Sequence, residues 1–319
     1  MSSGNRDWSE EDLRKHLVDA RKHLWRESTI RRIVNRTGLA EGITAVDAGC
    51  GLGYLGWTFR PFYGGGGRYI GIDCSASLLD EAKDLSSEWS GGSGAFFLRG
   101  SVYDLPLPDR CSDLTMCQTL LMHLEHPEKA LEEMMRVTRP GGVVMCMEPD
   151  NNSAMLAVPW GSQPSVSDDE LLRRFRMNLI WARGRKKLGR GDWGIGQKVP
   201  KMMSDLGLRN VDVIHNDMPR FMNPPYETEF QRFMMDELRE RLEKDEEGEK
   251  GRRAVQEKEW KECYLAGGGS LTSFYRSRRE SRRHWEELKP ILREQTRNGT
   301  YFNGLAGSHF YCVFGFRTE

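Results

Sequence analysis

Five short β-prone runs between Ile43 and Met147 alternate with stretches of helical periodicity, and no other feature of the chain restricts its fold as much. The runs are Ile43–Val46, Arg68–Asp73, Ala95–Leu98, Asp113–Cys117 and Val143–Met147. Between them, Leu78, Leu79, Ala82 and Leu85, and then Ala130, Leu131, Met134, Met135 and Val137, recur at helical spacing. The runs are apolar at neighbouring positions, so both of their faces must be covered. Strand and helix in alternation give a parallel sheet with helices on either side. Val211–His215 and His309–Phe316 read as a sixth and a seventh strand. The expected class is α/β, a doubly wound and mostly parallel seven-stranded sheet.

Outside this region the pattern is helical. From Ser9 to about Thr37 it predicts two N-terminal helices, with Leu13, Leu17, Ala20 and Leu24 at helical spacing in the first. Ser9 is placed to cap that helix, with Glu10, Glu11 and Asp12 in the opening turn, where the helix dipole favours negative charge. Beyond Asp150 the rhythm breaks. Ser167–Glu170 has the form of a capping box opening a helix through Leu171, Phe175, Leu179 and Ile180. Val199–Leu206 predicts another helix, closed by Gly207, and residues 218–306 are charge-rich and helical in pattern.

Composition narrows the function classes. Lys+Arg and Asp+Glu number 47 each, which removes the global electrostatic case for a protein that coats polyanions. No apolar run approaches the ~18–20 residues of a membrane helix. Met1–Asp7 lacks the apolar middle of a secretory signal. The 7 cysteines contain no CxxC pair and no zinc-like His/Cys spacing, so no metal site is expected. Several, such as Cys146 and Cys312, sit inside strand-like runs and read as reduced core thiols of a cytoplasmic protein.

The segment Val46-Asp47-Ala48-Gly49-Cys50-Gly51-Leu52-Gly53 leaves the first strand of this region and enters a helix. Glycines there let the backbone turn sharply and let a ligand reach main-chain N–H groups with no Cβ in the way. Asp73 ends the second strand about twenty residues past the last of them, where a carboxylate accepts hydrogen bonds from both hydroxyls of a ribose. Turn and carboxylate together point to an adenosine-containing ligand at the carboxyl edge of the sheet. Gly51-x-Gly53-x-x-Gly56 also matches the dinucleotide fingerprint, so a nicotinamide cofactor competes. Asp47 weighs against it: a negative charge one residue before the turn opposes a pyrophosphate and suits a sulfonium-bearing amino acid.

Through residues 40–150 the chain resembles the class I S-adenosylmethionine-dependent methyltransferases. Asp47–Gly53 resembles that family's first motif, and Gly71-Ile-Asp73-Cys-Ser75 its acidic strand end. Gly100–Asp109, followed by Asp113-Leu-Thr-Met, is similar to the segment that meets adenine and starts strand four. Leu121-Met-His123-Leu and Arg136–Gly142 resemble the helix start after strand four and the turn into strand five. The resemblance implies that Gly49, Gly51 and Gly53 cradle the methionine and ribose parts of S-adenosylmethionine, and that Asp73 holds the ribose hydroxyls. It also implies that Cys74 lies beneath the adenine, that the main chain of Val102 meets the ring edge, and that Gln118 serves the methionine ammonium and the methyl. Ser101 stands where the family usually has Asp and offers a hydroxyl to the adenine amino group.

The resemblance further implies an antiparallel last strand beside the fifth, normally joined to the sixth by a hairpin. Here roughly ninety residues separate Asp217 from the tail strand, well beyond common connection lengths. The expected organisation is an N-terminal helical cap over 1–40 and a cofactor-binding core over 41–217. A helical insertion over 218–306 forms lid and substrate chamber, and 307–319 supply the last strand.

His123, near the expected methyl position, is a candidate general base; the alternative is a histidine that holds a loop. Glu148, Asn151 and Asn152 follow strand five and are candidates to orient substrate, with ordinary turn chemistry as the alternative. The basic clusters Arg183–Arg190 and Arg276–Arg283 read as solvated helix faces, since acidic runs such as Asp245–Glu247 lie nearby. The function expected is direct in-line methyl transfer from S-adenosylmethionine, leaving S-adenosylhomocysteine, to an N, O, S or C atom of a small molecule. No nucleic-acid or membrane partner is expected. The alternatives are RNA or protein methylation, and cyclisation or elimination of the cofactor.

Overall fold

The computed structural model of the chain describes residues 24–62, 66–87, 89, 94–155, 166–216, 221–243, 246–304 and 309–319. The helix expected from Ser9 lies outside them, apart from its end at Leu24. In chain order the elements begin with α1 (Glu27–Thr37), β1 (Thr44–Ala48), α2 (Tyr54–Phe59), β2 (Arg68–Asp73), α3 (Ala76–Ser86), β3 (Ala95–Arg99) and β4 (Ser112–Gln118). They continue with α4 (Pro127–Val137), β5 (Thr138–Asp150), α5 (Asn151–Met155), α6 (Asp168–Lys187), α7 (Val199–Asp205) and β6 (Arg209–His215). The last are α8 (Glu229–Glu243), α9 (Glu246–Ala266), α10 (Leu271–Asn298) and β7 (His309–Phe316).

The chain packs as two compact units. The first holds the whole sheet, in the order β3-β2-β1-β4-β5-β7-β6. Strands β1 to β5 run parallel, and β7 lies antiparallel to both β5 and β6. All seven expected strands are present. Successive residues of a strand point to opposite faces: Ala45, Tyr69, Leu114, Met145 and Phe314 line one, Val46, Ile72, Cys117, Cys146 and Val313 the other. In the central strands both faces are apolar and buried, which is why those runs lack polar alternation, whereas edge strand β3 leaves Phe96 and Leu98 exposed. Helix α1 covers the first face with Ile30 and Ile33, and α4 covers the second with Ala130, Leu131, Met134 and Val137. From β1 the chain proceeds outward to β2 and β3 on one side and to β4 and β5 on the other. Ligands of open α/β sheets bind at the carboxyl ends of the strands where this direction reverses, here between β1 and β4.

The second unit comprises Asn151–Arg190 and Pro219–Ser308. Residues 151–190, which the sequence pattern groups with the core, thus pack with the later helices. Ser167 caps α6 by accepting the Glu170 N–H at 3.4 Å, but the Glu170 carboxylate turns to Arg173 and Arg174, both at 2.8 Å. Only half of the expected capping box forms; a reciprocal one stands at Ser270 and Ser273, opening α10. Helices α6 and α9 meet where Gly184 and Gly267 leave no room for a Cβ against the carbonyls of Cys263 and Ile180. The Trp181 and Trp260 rings stack beside this contact at 5.1 Å. Among the described residues no helix is long and apolar enough to cross a membrane.

Candidate functional site

Strand register decides what stands side by side at the carboxyl edge. Ala48 pairs with Ile72 and Asp47 with Met116, so the chain leaving β1 passes Asp73 on one side and Gln118 on the other. Asp73 pairs with Arg99, which puts Gly100 and Ser101 next in the row. Gln118 pairs with Met147, so Glu148 follows on the far side. The sheet therefore gathers Ser101, Asp73, the glycine turn, Gln118 and Glu148 along the carboxyl edge of its five parallel strands.

The N–H groups of Gly49 and Cys50 both donate to the Ile72 carbonyl, at 2.8 and 3.0 Å, which ties the turn to β2. Gly49, Gly51 and Gly53 have φ of 68°, 53° and 78°, where a side chain would be strained. They differ in what surrounds them. A Cβ on Gly51 would meet nothing within 4 Å, whereas one on Gly53 would press Trp89 and Phe97 at 3.2 and 3.3 Å. One on Gly49 would strike the Leu120 side chain at 2.6 Å. Gly51 is thus the glycine open to a ligand. Gly56 is a packing glycine, since its Cβ would stand 2.6 Å from Tyr69 Cζ and 2.7 Å from Trp89. A dinucleotide fingerprint uses its third glycine in the same way, so the glycines do not discriminate between cofactors. The antiparallel β7 between β5 and β6 does, because the dinucleotide-binding order is 3-2-1-4-5-6.

Asp73 accepts the Gly51 N–H on Oδ2 and the Ser75 N–H on Oδ1, both at 2.9 Å. A carboxylate has roughly four acceptor positions, so each oxygen keeps one for a ligand hydroxyl. Cys74 follows it and is exposed. Ser101 Oγ accepts the Tyr103 N–H at 3.1 Å in a local turn. The segment that follows is braced from α4: Arg136 donates to the carbonyls of Leu105 and Leu107, both at 2.9 Å, and to Asp109 at 2.7 Å. Glu133 accepts the Leu105 N–H at 2.8 Å. The hydrogen bond from Arg136 holds the Glu133 carboxyl below the usual carboxylate range. Val102 packs against the second face of the sheet.

Asp47 is buried in β1, two residues before Gly49, and accepts the Tyr69 hydroxyl at 2.7 Å. Gln118 is 4% exposed, yet neither its Oε1 nor its Nε2 finds a partner among the described residues. A buried amide left so costs about 1–3 kcal/mol, and a polar ligand with donor and acceptor groups would relieve it. The next residue, Thr119, has φ 50°, a rare conformation for a β-branched residue and one that marks functional sites.

Glu148 is 0% exposed; its oxygens accept the N–H groups of Leu120, Leu121 and Met122 at 2.8, 2.9 and 3.3 Å, and Oε1 also takes the Cys117 thiol at 3.8 Å. His123 does not begin a helix. It ends a 3₁₀ turn, Leu121–His123, after which Leu124 is extended and α4 starts at Pro127. A proline at the first helical position sets that later start. Asn151 and Asn152 open α5 in the second unit. Thr119 and the brace of Glu133 and Arg136 carry no signal that singles them out as site residues, and two further glycines carry only a weak one. A Cβ on Gly196 would meet the Glu148 carbonyl at 2.6 Å, and Gly191 packs on the Met122 carbonyl. The glycine-rich run Gly189–Gly196 was their one visible mark. Burial pushes the thiols of Cys50, Cys117 and Cys312 upward, so these residues are core and not nucleophiles.

A sheet of this order, with one antiparallel strand and a carboxylate beside a glycine turn, defines the Rossmann-like methyltransferase fold. Residues 46–146 match the methyltransferase domain family. Over those residues the core is similar to the class I S-adenosylmethionine-dependent methyltransferases, whose cofactor is S-adenosylmethionine. An uncharacterized methyltransferase of Schizosaccharomyces pombe is 35% identical over 140 residues, 42% of this chain and 50% of that protein. A ubiquinone/menaquinone biosynthesis C-methyltransferase of Hahella chejuensis is 29% identical over 138 residues, 43% and 54% of the two chains. A malonyl-[acyl-carrier protein] O-methyltransferase of Yersinia pestis is 32% identical over 127 residues, 40% and 44% of the two. The chain spans about half the length of the curated relatives it matches. Among solved structures, the complex of the Haloferax volcanii Trm112 methyltransferase activator with a protein described as a methyltransferase is similar in fold, with TM-score 0.50 and 16% identity. That match covers 98% of this chain and 96% of the other.

Proposed function

We propose that this protein transfers a methyl group from S-adenosylmethionine to a small-molecule acceptor. The observation that carries the reading is the buried, unpartnered Gln118 amide in line with the open Gly51 and the half-used Asp73 carboxylate. Bound there, the cofactor supplies a methyl group on a sulfonium sulfur, activated for displacement. Asp73 takes the ribose hydroxyls on its two remaining acceptor positions, and Gln118 meets the polar end of the methionine part. Asp47 contributes a negative charge just ahead of the turn, held in place by the Tyr69 hydroxyl. Cys74, Ser101 and the Val102 main chain border the adenine. His123 removes a proton where the acceptor is an O–H or N–H group. Methyl transfer of this kind needs alignment and exclusion of water more than covalent help from the protein.

A quinone-biosynthesis C-methyltransferase and an acyl-carrier O-methyltransferase among the relatives support a small molecule or its carrier-bound form. The seven cysteines, all reduced, support a cytoplasmic placement. The rival reading, RNA methylation, has one observation in its favour. Arg276, Arg279 and Arg282 on α10 are exposed and form no ion pair among the described residues.

Titration calorimetry with S-adenosylhomocysteine tests the cofactor, and incubation of methyl-deuterated S-adenosylmethionine with a small-molecule extract tests the acceptor. Binding, followed by a labelled product of low mass, is expected. Label found only in RNA or protein, or no binding at all, refutes the reading.

A further inference from the structure

The turn after β4 is capped in an unusual way. The first N–H groups of a helical turn have no partner within it, and a polar residue just ahead normally satisfies them. Here that place is held by Leu120, which has no side-chain acceptor. The acceptor comes from another strand, 28 residues further along: Glu148, fully buried, takes the N–H groups of Leu120 and Leu121 on Oε1 and that of Met122 on Oε2. One residue earlier, the Thr119 N–H donates to the Met147 carbonyl at 2.9 Å. The turn is therefore pinned to consecutive residues of β5, and it enters that position through the strained φ of Thr119. Its contents are the polar groups of the site. Gln118 precedes it, the Leu120 side chain closes on Gly49, and His123 ends it.

We infer that Glu148 is a positioning residue. It holds the Gln118–His123 turn against the glycine turn and so sets affinity at the carboxyl edge, without touching cofactor or acceptor. The inference rests on the S-adenosylmethionine reading for its binding readout alone. An ionised carboxylate accepts on both oxygens. Glu148→Gln keeps the shape but leaves one oxygen for the amides and turns an NH₂ toward a backbone N–H. Thr119→Gly removes the strain against which Glu148 holds the turn.

The test measures S-adenosylhomocysteine affinity by calorimetry and amide hydrogen exchange by mass spectrometry. It uses the full chain as wild type, Glu148→Gln, Thr119→Gly and the double variant. In the wild type the amides of Leu120–Met122 exchange at least about a hundredfold more slowly than that of exposed Glu125. Glu148→Gln raises exchange at those amides while peptides of β1 and β2 keep their protection, and it weakens S-adenosylhomocysteine by about tenfold or more. Thr119→Gly in that background recovers at least about threefold of the loss. Affinity within about threefold of wild type with unchanged exchange overturns the inference. So does a loss of protection spread evenly over the first unit with no rescue, which would make Glu148 a residue of general stability. Fast exchange of Leu120–Met122 in the wild type overturns it without any variant. A wild type that binds no S-adenosylhomocysteine refutes the cofactor reading instead, while exchange still decides whether Glu148 holds the turn.

Discussion

Replacing Asp73 removes the carboxylate that holds the glycine turn at the end of β2. Its oxygens each spend one acceptor position on backbone, on Gly51 and Ser75, and each retains one for a ribose hydroxyl. A hydrogen bond to a charged group contributes about 1.5–3 kcal/mol. Asp73→Ala thus loses about 3–6 kcal/mol of binding, and at 1.4 kcal/mol per decade the dissociation constant of S-adenosylhomocysteine rises by at least about 100-fold. Asp73→Asn keeps one oxygen and presents an NH₂ to a backbone N–H, so an intermediate loss of about 10–100-fold is expected. The amides of Gly51 and Ser75 are freed in the alanine variant, but both lie near solvent and water replaces the carboxylate. Calorimetry at 25 °C measures the affinities, and a thermal melt by circular dichroism shows whether the variants remain folded. A folded Asp73→Ala protein that binds within about threefold of wild type refutes the ribose assignment.

Gly56→Ala gains about 1 kcal/mol of helix propensity, but its Cβ meets the fully buried Tyr69 ring, which Asp47 pins, and overpacking of about 1–3 kcal/mol outweighs the gain. The urea midpoint falls; an unchanged or higher midpoint contradicts this. Among the cysteines, exposed Cys74 alkylates ahead of buried Cys50, Cys117 and Cys312, and S-adenosylhomocysteine protects it, as peptide mass mapping would show. Labelling of Cys74 that ignores the ligand argues against an adenine at this edge. The depressed Glu133 carboxyl contributes stability that is present above its unfolded value of 4.5 and is lost as pH falls through the lower folded value. Melts taken down to about pH 3 therefore show a shallower decline for Glu133→Gln, and equal slopes would count against the brace.

Local sequence determined which segments become strands and helices. The runs Arg68–Asp73 and His309–Phe316 match β2 and β7 residue for residue, because apolar periodicity and β-branched or aromatic content act over a few neighbours. The glycine turn and Asp73 were legible for the same reason: a left-handed backbone needs glycine, and a strand-end carboxylate sits one crossover away. The extent of β5 was not legible. Its apolar stretch is Val143–Met147, yet it continues to Asp150 because every residue of β7 pairs with it. Nor could periodicity separate residues 151–190 from the core, since which helices pack together is settled by contacts such as Gly184 on Cys263.

Composition around strand five makes Glu148 look like a group aimed at substrate, and register makes it a cap for Leu120–Met122. The partner of a buried carboxylate is chosen by which strands lie side by side and at what offset, and no pattern within one segment encodes that. Gln118 follows the same logic. Its identity is written in the chain, but its solitude inside the protein exists only once β1, β4 and β5 have closed around it.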